Sequence, residues 1–262
     1  MAAQAVETPK ESASAATRTE SDRPDLPFYN GLPRRIEPVG WAAILSACVL
    51  AVVQLMWLPV PAGVLGAQWI PMLMFPVLPL LALAWAAPGG WTALYRRIRV
   101  RDVLAMVGFA ALNLAVVTPL ALALQPYLGS EANPAIAALT DMSALERVQF
   151  FAASIPQLIG EELVTILPML ALMAYLTHLG WKRRPALAIA WVASALLFAA
   201  LHLPTYGWNV LQCLALIGVA RLVLTLAYVV TRNLGVSAGA HIVNDWVTFA
   251  APLLIGGAAL VA

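Results

Sequence analysis

Residues 209–230 read NVLQCLALIGVARLVLTLAYVV, an apolar run in which Arg221 is the one charged side chain. A helix of roughly 20 such residues crosses the hydrocarbon core of a bilayer. Other apolar runs of this kind cover 39–60, 66–87, 103–124, a stretch around 159–179, 185–203 and 234 to about the C-terminus. Pro252 and Gly256–Gly257 interrupt the last run, which therefore forms one or two segments. The predicted fold class is all-α, a polytopic transmembrane helical bundle with 7–8 spans.

The composition supports a membrane protein and argues against other classes. The chain has 262 residues, of which 62% are hydrophobic and 11% charged, and its mean hydropathy is +0.84. A soluble domain carries roughly 25% charged residues. The net charge is only +2, and Cys48 and Cys213 both lie in apolar runs. Nucleic-acid binding, a disulfide scaffold and a cysteine-based metal cluster are therefore not expected. We expect an integral, multi-pass protein of a bacterial cell membrane.

The N-terminal residues differ from the rest of the chain. Residues 1–38 hold 11 of the 28 Asp, Glu, Lys and Arg residues, are rich in Ala, Ser, Thr and Pro, and lack apolar periodicity. Such a segment buries too little apolar surface to offset the entropy of ordering. We predict a disordered cytoplasmic tail over 1–38, followed by a transmembrane domain over 39–262.

Basic residues alternate between successive loops. They precede the first span (Arg34, Arg35), follow the second (Arg96, Arg97, Arg99, Arg101), the fourth (Lys182, Arg183, Arg184) and the sixth (Arg232). The intervening loops carry little Lys or Arg, with Arg147 as the exception. By the positive-inside rule, the N-terminus and the loops near 88–102, 180–184 and 231–233 are predicted to be cytoplasmic.

Several ionisable side chains lie inside the apolar runs, namely Glu161, Glu162, His202, Arg221, His241 and Asp245. An ionised group at the centre of a bilayer costs at least ~2.5–3.5 kcal/mol, so it persists mainly where it is paired or lines a polar cavity. One interpretation is structural pairing, with Arg221 on a glutamate and an imidazole on Asp245. The concentration of these groups on four predicted helices favours a functional site instead.

The spacing of these groups predicts that they converge. Glu161–Glu162 open the fourth span, His202 ends the fifth, and His241 and Asp245 lie four residues apart on one face of the seventh. The predicted topology places all of them at a similar depth, in the outer half of the membrane.

The segment before the fourth span predicts a separate short helix. Ser143 and Glu146 form a capping-box pattern that opens an amphipathic or re-entrant helix. Pro156 and Gly160 predict a break between that helix and the fourth span.

The chemistry available to these groups leads to hydrolysis. A partly desolvated carboxylate can act as a general base toward water. Imidazole can orient that water or donate to an oxyanion forming on an attacked carbonyl. The same groups can also ligate Zn²⁺ with an open water position. Both routes use an activated water molecule.

Three short motifs resemble those of the CPBP family of intramembrane endopeptidases, which includes type II CAAX prenyl proteases and bacteriocin-processing or immunity (Abi) proteins. The family pattern is EExxxR, FxxxH and HxxxN or HxxxD on successive helices. Glu161–Glu162, Phe198…His202 and His241…Asp245 match it in order, and about 40 residues separate each motif from the next. The resemblance covers roughly 145–250 and implies a catalytic core there.

The resemblance implies a role for each residue. Glu161 would activate the hydrolytic water with help from His202, His241 and Asp245 would stabilise the oxyanion, and Glu162 would be a supporting acid. We favour a reaction without metal; in a metal-dependent reaction, Glu161, His202 and His241 would be the ligands. The substrate would be a membrane-associated peptide or protein, which in eukaryotic members carries a prenylated CAAX tail.

The chain departs from the family pattern at two positions. Ile166 stands where EExxxR has its arginine, and we expect Arg221 to approach Glu162 or Glu161 in its place. Asp245 stands where many members have asparagine, and an ionised Asp cannot donate to an oxyanion. Asp245 would therefore have to be protonated, or it would have to hold His241 in the correct tautomer. Asn244 is adjacent and points about 100° away from Asp245 around a helix. Together with Arg221 and Phe198, it is predicted to be a supporting residue of the site.

Two other functions remain open at this point. A non-proteolytic relative that acts as an immunity factor or binding partner is favoured by the missing arginine. A small ion-coupled transporter would use the same acids and imidazoles to bind ions, but it predicts inverted repeats, and the sequence shows none.

Overall fold

The computed structural model describes residues 25–58, 67, 69–129 and 131–259, with side chains as far as Leu254. Within these ranges every long element is a helix, which confirms the all-α prediction. The helices are α1 (Pro38–Trp57), α2 (Trp69–Ala86), α3 (Val100–Leu128), α4 (Pro134–Asp141), α5 (Ala144–His178), α6 (Arg183–Leu201), α7 (Val210–Thr231) and α8 (Leu234–Ala259). Helix α7 contains a π-helical stretch at Cys213–Gly218, and a 3₁₀ turn lies at Trp91–Leu94.

Six helices in the described part of the chain are long and apolar enough to cross a membrane: α1, α2, α3, α5, α6 and α7. Helix α8 is the predicted seventh span. Its 26 residues extend about 39 Å, which exceeds the roughly 30 Å of a hydrocarbon core. Of the two alternatives left open for this last run, one continuous helix is present as far as Ala259, because α8 continues through Pro252. The chain is an integral membrane protein built as a helical bundle.

Helix α5 is the central element of the bundle. It begins with the predicted capping box, in which the Glu146 carboxylate accepts from the Ser143 backbone N–H at 2.8 Å. The predicted break at Pro156 and Gly160 is wrong, because α5 is continuous over 35 residues. Gly160 serves close packing instead, since a Cβ there would lie 2.3 Å from the ring of Phe75 on α2. The Glu161–Glu162 pair therefore lies in the middle of a helix, not at its start.

The segment before α1 packs against the bundle. Leu26 and Phe28 are 1% and 2% exposed. The Asp25 carboxylate pairs with the Arg183 guanidinium at 2.5 Å, and Thr177 donates to the backbone carbonyl of Tyr29 at 3.0 Å. Residues 25–37, predicted to belong to the disordered tail, are thus ordered by contacts with α5 and α6. Residues 1–24 of that predicted tail lie outside the described residues.

Loop contacts tie the two ends of the bundle together. At one end, Asn233 accepts a hydrogen bond from the Arg96 backbone N–H at 3.1 Å, which joins two of the predicted cytoplasmic loops. At the other end, Asn209 donates to the Leu128 carbonyl at 2.6 Å, and the Gln212 side chain donates to the Glu131 carbonyl at 2.9 Å. This pairing of loops agrees with the predicted alternation of helix direction. The cytoplasmic location of the first end stays a prediction.

Candidate active site

A cavity of about 770 Å³ lies among α3, α5, α7 and α8 and the loop that follows α6. Most of the side chains that the sequence singles out line it: Glu161, Phe198, His202, Arg221, His241, Asn244 and Asp245. Glu162 lies directly behind this layer and is fully buried. The predicted convergence of acids and imidazoles from separate helices is therefore present.

His241 of α8 occupies the centre of the cluster. Its Nδ1 lies 3.0 Å from Glu162 Oε1, while its Nε2 lies 3.7 Å from both Glu161 Oε2 and Asp245 Oδ2. The ring is only 4% exposed. One imidazole thus joins three carboxylates, two of them from α5 and one from the next turn of its own helix.

Arg221 compensates the charge of Glu162. Its Nη2 donates to Glu162 Oε1 at 2.5 Å, and both side chains are fully buried. Its Nε donates to Thr225 Oγ1 at 3.0 Å, and its guanidinium lies 4.8 Å from the centre of the Phe198 ring. The contact predicted from the missing family arginine is confirmed. Ile166, at the family's arginine position, is instead fully buried among apolar side chains.

Glu161 has a different environment from its neighbour. Its Oε1 accepts from Gln157 Nε2 at 3.2 Å, one turn earlier on α5, and its side chain is 12% exposed. Successive residues on a helix point about 100° apart. Glu162 is therefore turned toward Arg221, while Glu161 faces the cavity. Its carboxylate is paired with no Lys or Arg in the described part of the chain and is open to a water molecule.

His202 caps the C-terminus of α6 and presents one nitrogen for chemistry. Its Nδ1 lies 2.9 Å from the Phe198 carbonyl, to which a protonated Nδ1 donates. That contact favours the tautomer whose Nε2 carries a lone pair. The Phe198 ring separates the two imidazoles, with centroids 4.4 Å from His202 and 6.3 Å from His241. Phe198 of the second motif therefore spaces the two histidines.

Asn244, predicted to be a supporting residue, lies beside Asp245 in the cluster. Asn244 is 8% exposed and lines the same cavity as Asp245. Its Nδ2 donates to Asp245 Oδ1 at 3.0 Å, and its Oδ1 accepts from Asn113 Nδ2 of α3 at 2.9 Å. The cavity is wide enough to include two adjacent positions of α8.

Sequence reasoning missed Asn113, Gln157 and Tyr206. Asn113 is the one Asn within the apolar run of α3, and that isolation was the available signal. Tyr206 follows α6 and accepts a hydrogen bond from Asn133 at 3.3 Å. Burial raises the pKa of Tyr206, and the carboxylates of Asp245 and Glu161 raise it further, so its hydroxyl keeps its proton beside the site.

The donor arrangement does not match a metal site in the part of the chain that the structure describes. No group of three or more His, Cys, Asp or Glu side chains there has the arrangement needed to hold an ion. His241 Nδ1 is engaged by Glu162, and its Nε2 lies at equal distances from two carboxylates. The ligand set considered from the sequence, Glu161, His202 and His241, is therefore not assembled as a ligand sphere. Independence from metal stays a prediction.

A second cavity, of about 910 Å³, lies between residues 28–45, α5 and α6. Its lining contains Arg35 and His178 but no carboxylate. It therefore lacks the combination of carboxylates and imidazoles that lines the first cavity.

Comparison with known protein families gives a match to part of the chain. Residues 143–247 match the model of the family described as Type II CAAX prenyl endopeptidase Rce1-like. The matched segment begins at the N-cap of α5 and ends in α8, so it includes all three motifs but none of α1, α2 and α3. Neither the curated proteins nor the solved structures contain a match to the chain.

Proposed function

From membership of the CPBP family, which the match over residues 143–247 supports, we propose that this chain is an intramembrane endopeptidase that hydrolyses a membrane-associated peptide or protein. Glu161 is the general base in this proposal. One observation carries it: Glu161 faces the same cavity as both histidines, while Arg221 pairs with the adjacent Glu162. The cluster thus contains one carboxylate that is structurally compensated and one that is available to water.

The proposed reaction begins with a water molecule between Glu161 and His202. Glu161 takes a proton from this water, whose oxygen then attacks the carbonyl carbon of the scissile peptide bond. The C–N bond breaks when the tetrahedral intermediate collapses, and protonated Glu161 returns its proton to the leaving amine. The Nε2 lone pair of His202 orients the attacking water by accepting its second hydrogen.

His241 is the proposed electrophile for the oxyanion. A protonated ring donates from Nδ1 to Glu162 and has Nε2–H available on the side of Glu161 and Asp245. A hydrogen-bond donor placed at a developing oxyanion raises kcat by about 10²- to 10³-fold. Asp245 serves as the negative partner that holds His241, since an ionised carboxylate has no proton to donate.

The experiment is cleavage of candidate membrane-associated peptides, with and without a prenyl group, by the purified full chain in detergent. Glu161→Gln keeps the size of the side chain and removes the base, so we expect a loss of at least about 10²-fold in kcat. Glu37→Gln, which changes an exposed glutamate before α1, is the matched control and should retain activity. We expect a chelator to leave the wild-type rate unchanged. Cleavage by Glu161→Gln at the wild-type rate would remove the assigned base.

A non-proteolytic binding protein is the second candidate, because Ile166 replaces the family's arginine. The Arg221–Glu162 contact weakens this alternative, since it restores the positive charge beside the glutamate pair. The alternative predicts that the wild type binds peptides of this class without cleaving them.

A further inference from the structure

We propose that Asn113 of α3, outside the segment that matches the family model, is a positioning residue for the active site. It holds the Asp245 carboxylate against His241 through Asn244. This inference rests on the proposed function for its catalytic consequence, but its structural content can be tested separately.

A directed chain of hydrogen bonds joins α3 to the cluster. Asn113 Nδ2 donates to Asn244 Oδ1 at 2.9 Å, and Asn244 Nδ2 donates to Asp245 Oδ1 at 3.0 Å. The other oxygen of Asp245 lies 3.7 Å from His241 Nε2. Each amide in this chain donates toward the carboxylate, so the chain stabilises Asp245 as an acceptor.

Helix α3 packs closely against α8 because α8 has glycines at the contact. Gly239 lies under Met106, and a Cβ at Gly239 would be 2.4 Å from the Met106 sulfur. Gly235, one turn earlier on α8, packs against Ile98, two residues before α3 begins, and a Cβ at Gly235 would lie 3.2 Å from the Ile98 Cδ1. Small residues four apart let membrane helices approach closely. Met106 and Asn113 are two turns apart on one face of α3, so the contact at Gly239 directs Asn113 toward α8.

The Asn113 amide is buried, so the hydrogen bonds that it makes and lacks affect the stability of the protein. Its side chain is 2% exposed and lines the cavity. Its Oδ1 has no hydrogen-bond partner among the described residues. A buried amide with an unpaired oxygen is costly in an apolar helix. In this proposal, Asn113 offsets that cost because its Nδ2 orders Asp245, through Asn244, at the position where many family members have asparagine.

The experiment compares four variants of the full chain in detergent. Asn113→Leu removes the whole amide, Asn113→Asp replaces the donating NH₂ by an oxygen at constant size, and Asn113→Gln keeps the amide. Leu112→Ala is the matched control, because it changes the preceding residue of the same helix, which is 43% exposed and does not line the cavity.

The first readout is NMR of selectively labelled histidine, which is practicable because the chain has only three. We expect Asn113→Leu and Asn113→Asp to shift the His241 ring resonances and leave those of His178 unchanged. Leu112→Ala should shift neither set of resonances. Variants that keep the His178 signal are folded, and unchanged His241 resonances in both removal variants would overturn the inference.

The second readout is kinetic. We expect Asn113→Leu to lower kcat by roughly 10- to 100-fold with little change in KM, and Asn113→Gln to recover part of that loss. A wild type that cleaves no tested peptide would refute the proposed function, while the His241 resonances would still decide the role of Asn113. Full activity in Asn113→Leu would overturn the positioning role.

Discussion

Replacing Arg221 by methionine tests the electrostatics of the site. Arg221 and Glu162 are both fully buried and in direct contact. Removing the cation leaves a carboxylate buried without a counter-charge, and breaking a buried pair in this way costs about 3–5 kcal/mol. We expect Arg221→Met to lower the free energy of unfolding by that amount.

A double variant separates the loss of the ion pair from the loss of packing. In Arg221→Met with Glu162→Gln no buried charge is left unpaired, and Gln Oε1 can still accept from His241. Replacing a buried pair by neutral groups of similar volume is often close to neutral. We therefore expect the double variant to lie within about 2 kcal/mol of the wild type, far less than the sum of the two single changes.

The measurement is unfolding by SDS titration in mixed micelles, followed by the fluorescence of the nine tryptophans. Arg35→Met is the matched control. Arg35 pairs with Glu37 at 3.2 Å, but the two side chains are 73% and 63% exposed, so we expect a cost below about 1 kcal/mol. The reasoning is refuted if Arg221→Met costs no more than this control, or if the double variant costs the sum of its parts.

Two further predictions concern packing and pH. Gly160→Ala should lower the free energy of unfolding by about 1–3 kcal/mol, because the new Cβ meets the Phe75 ring. Nothing lies within 4 Å of a Cβ at Gly108, so Gly108→Ala should leave that free energy unchanged or raise it by up to about 1 kcal/mol in the same titration. Equal costs would contradict the assigned contact. Burial alone would raise the pKa of Asp25, but hydrogen bonds from Arg183, Tyr29 and the Leu26 backbone outweigh it and hold that pKa well below its usual range. The resulting stabilisation of residues 25–37 is complete above the unfolded pKa of about 3.9, and it is lost progressively as the pH falls from there through the lower pKa of the folded state. Limited proteolysis by an acid-active protease should therefore cut this segment faster as the pH falls toward 3, and Asp25→Asn should abolish most of that pH dependence.

The sequence was sufficient for the architecture because the bilayer restricts the possibilities. Only helices and closed barrels satisfy their backbone groups in lipid, so long apolar runs identify helices and their order. The cost of burying charge in lipid also predicted that Glu161, His202 and His241 belong together. The same reasoning led from the missing family arginine to the contact between Arg221 and Glu162.

Local signals misjudged the positions where a neighbouring helix decides the outcome. Pro156 and Gly160 are typical of a break, but the Phe75 ring on α2 occupies the space beside Gly160 and α5 continues. Residues 25–37 have the composition of a disordered tail, yet Leu26, Phe28 and Ile36 are buried in the hydrophobic core of the bundle.

Sequence by itself determined which side chains must avoid lipid, because that requirement depends on residue type and on the length of each apolar run. The tertiary structure alone decided which of two adjacent glutamates meets Arg221 and which faces the cavity. It also brought Asn113 from α3 to Asn244 and Asp245. The physical reason is that neighbouring residues on a helix differ by about 100° in direction, so the rotation of each helix against its partners sets the role of every side chain, and no local pattern encodes that rotation.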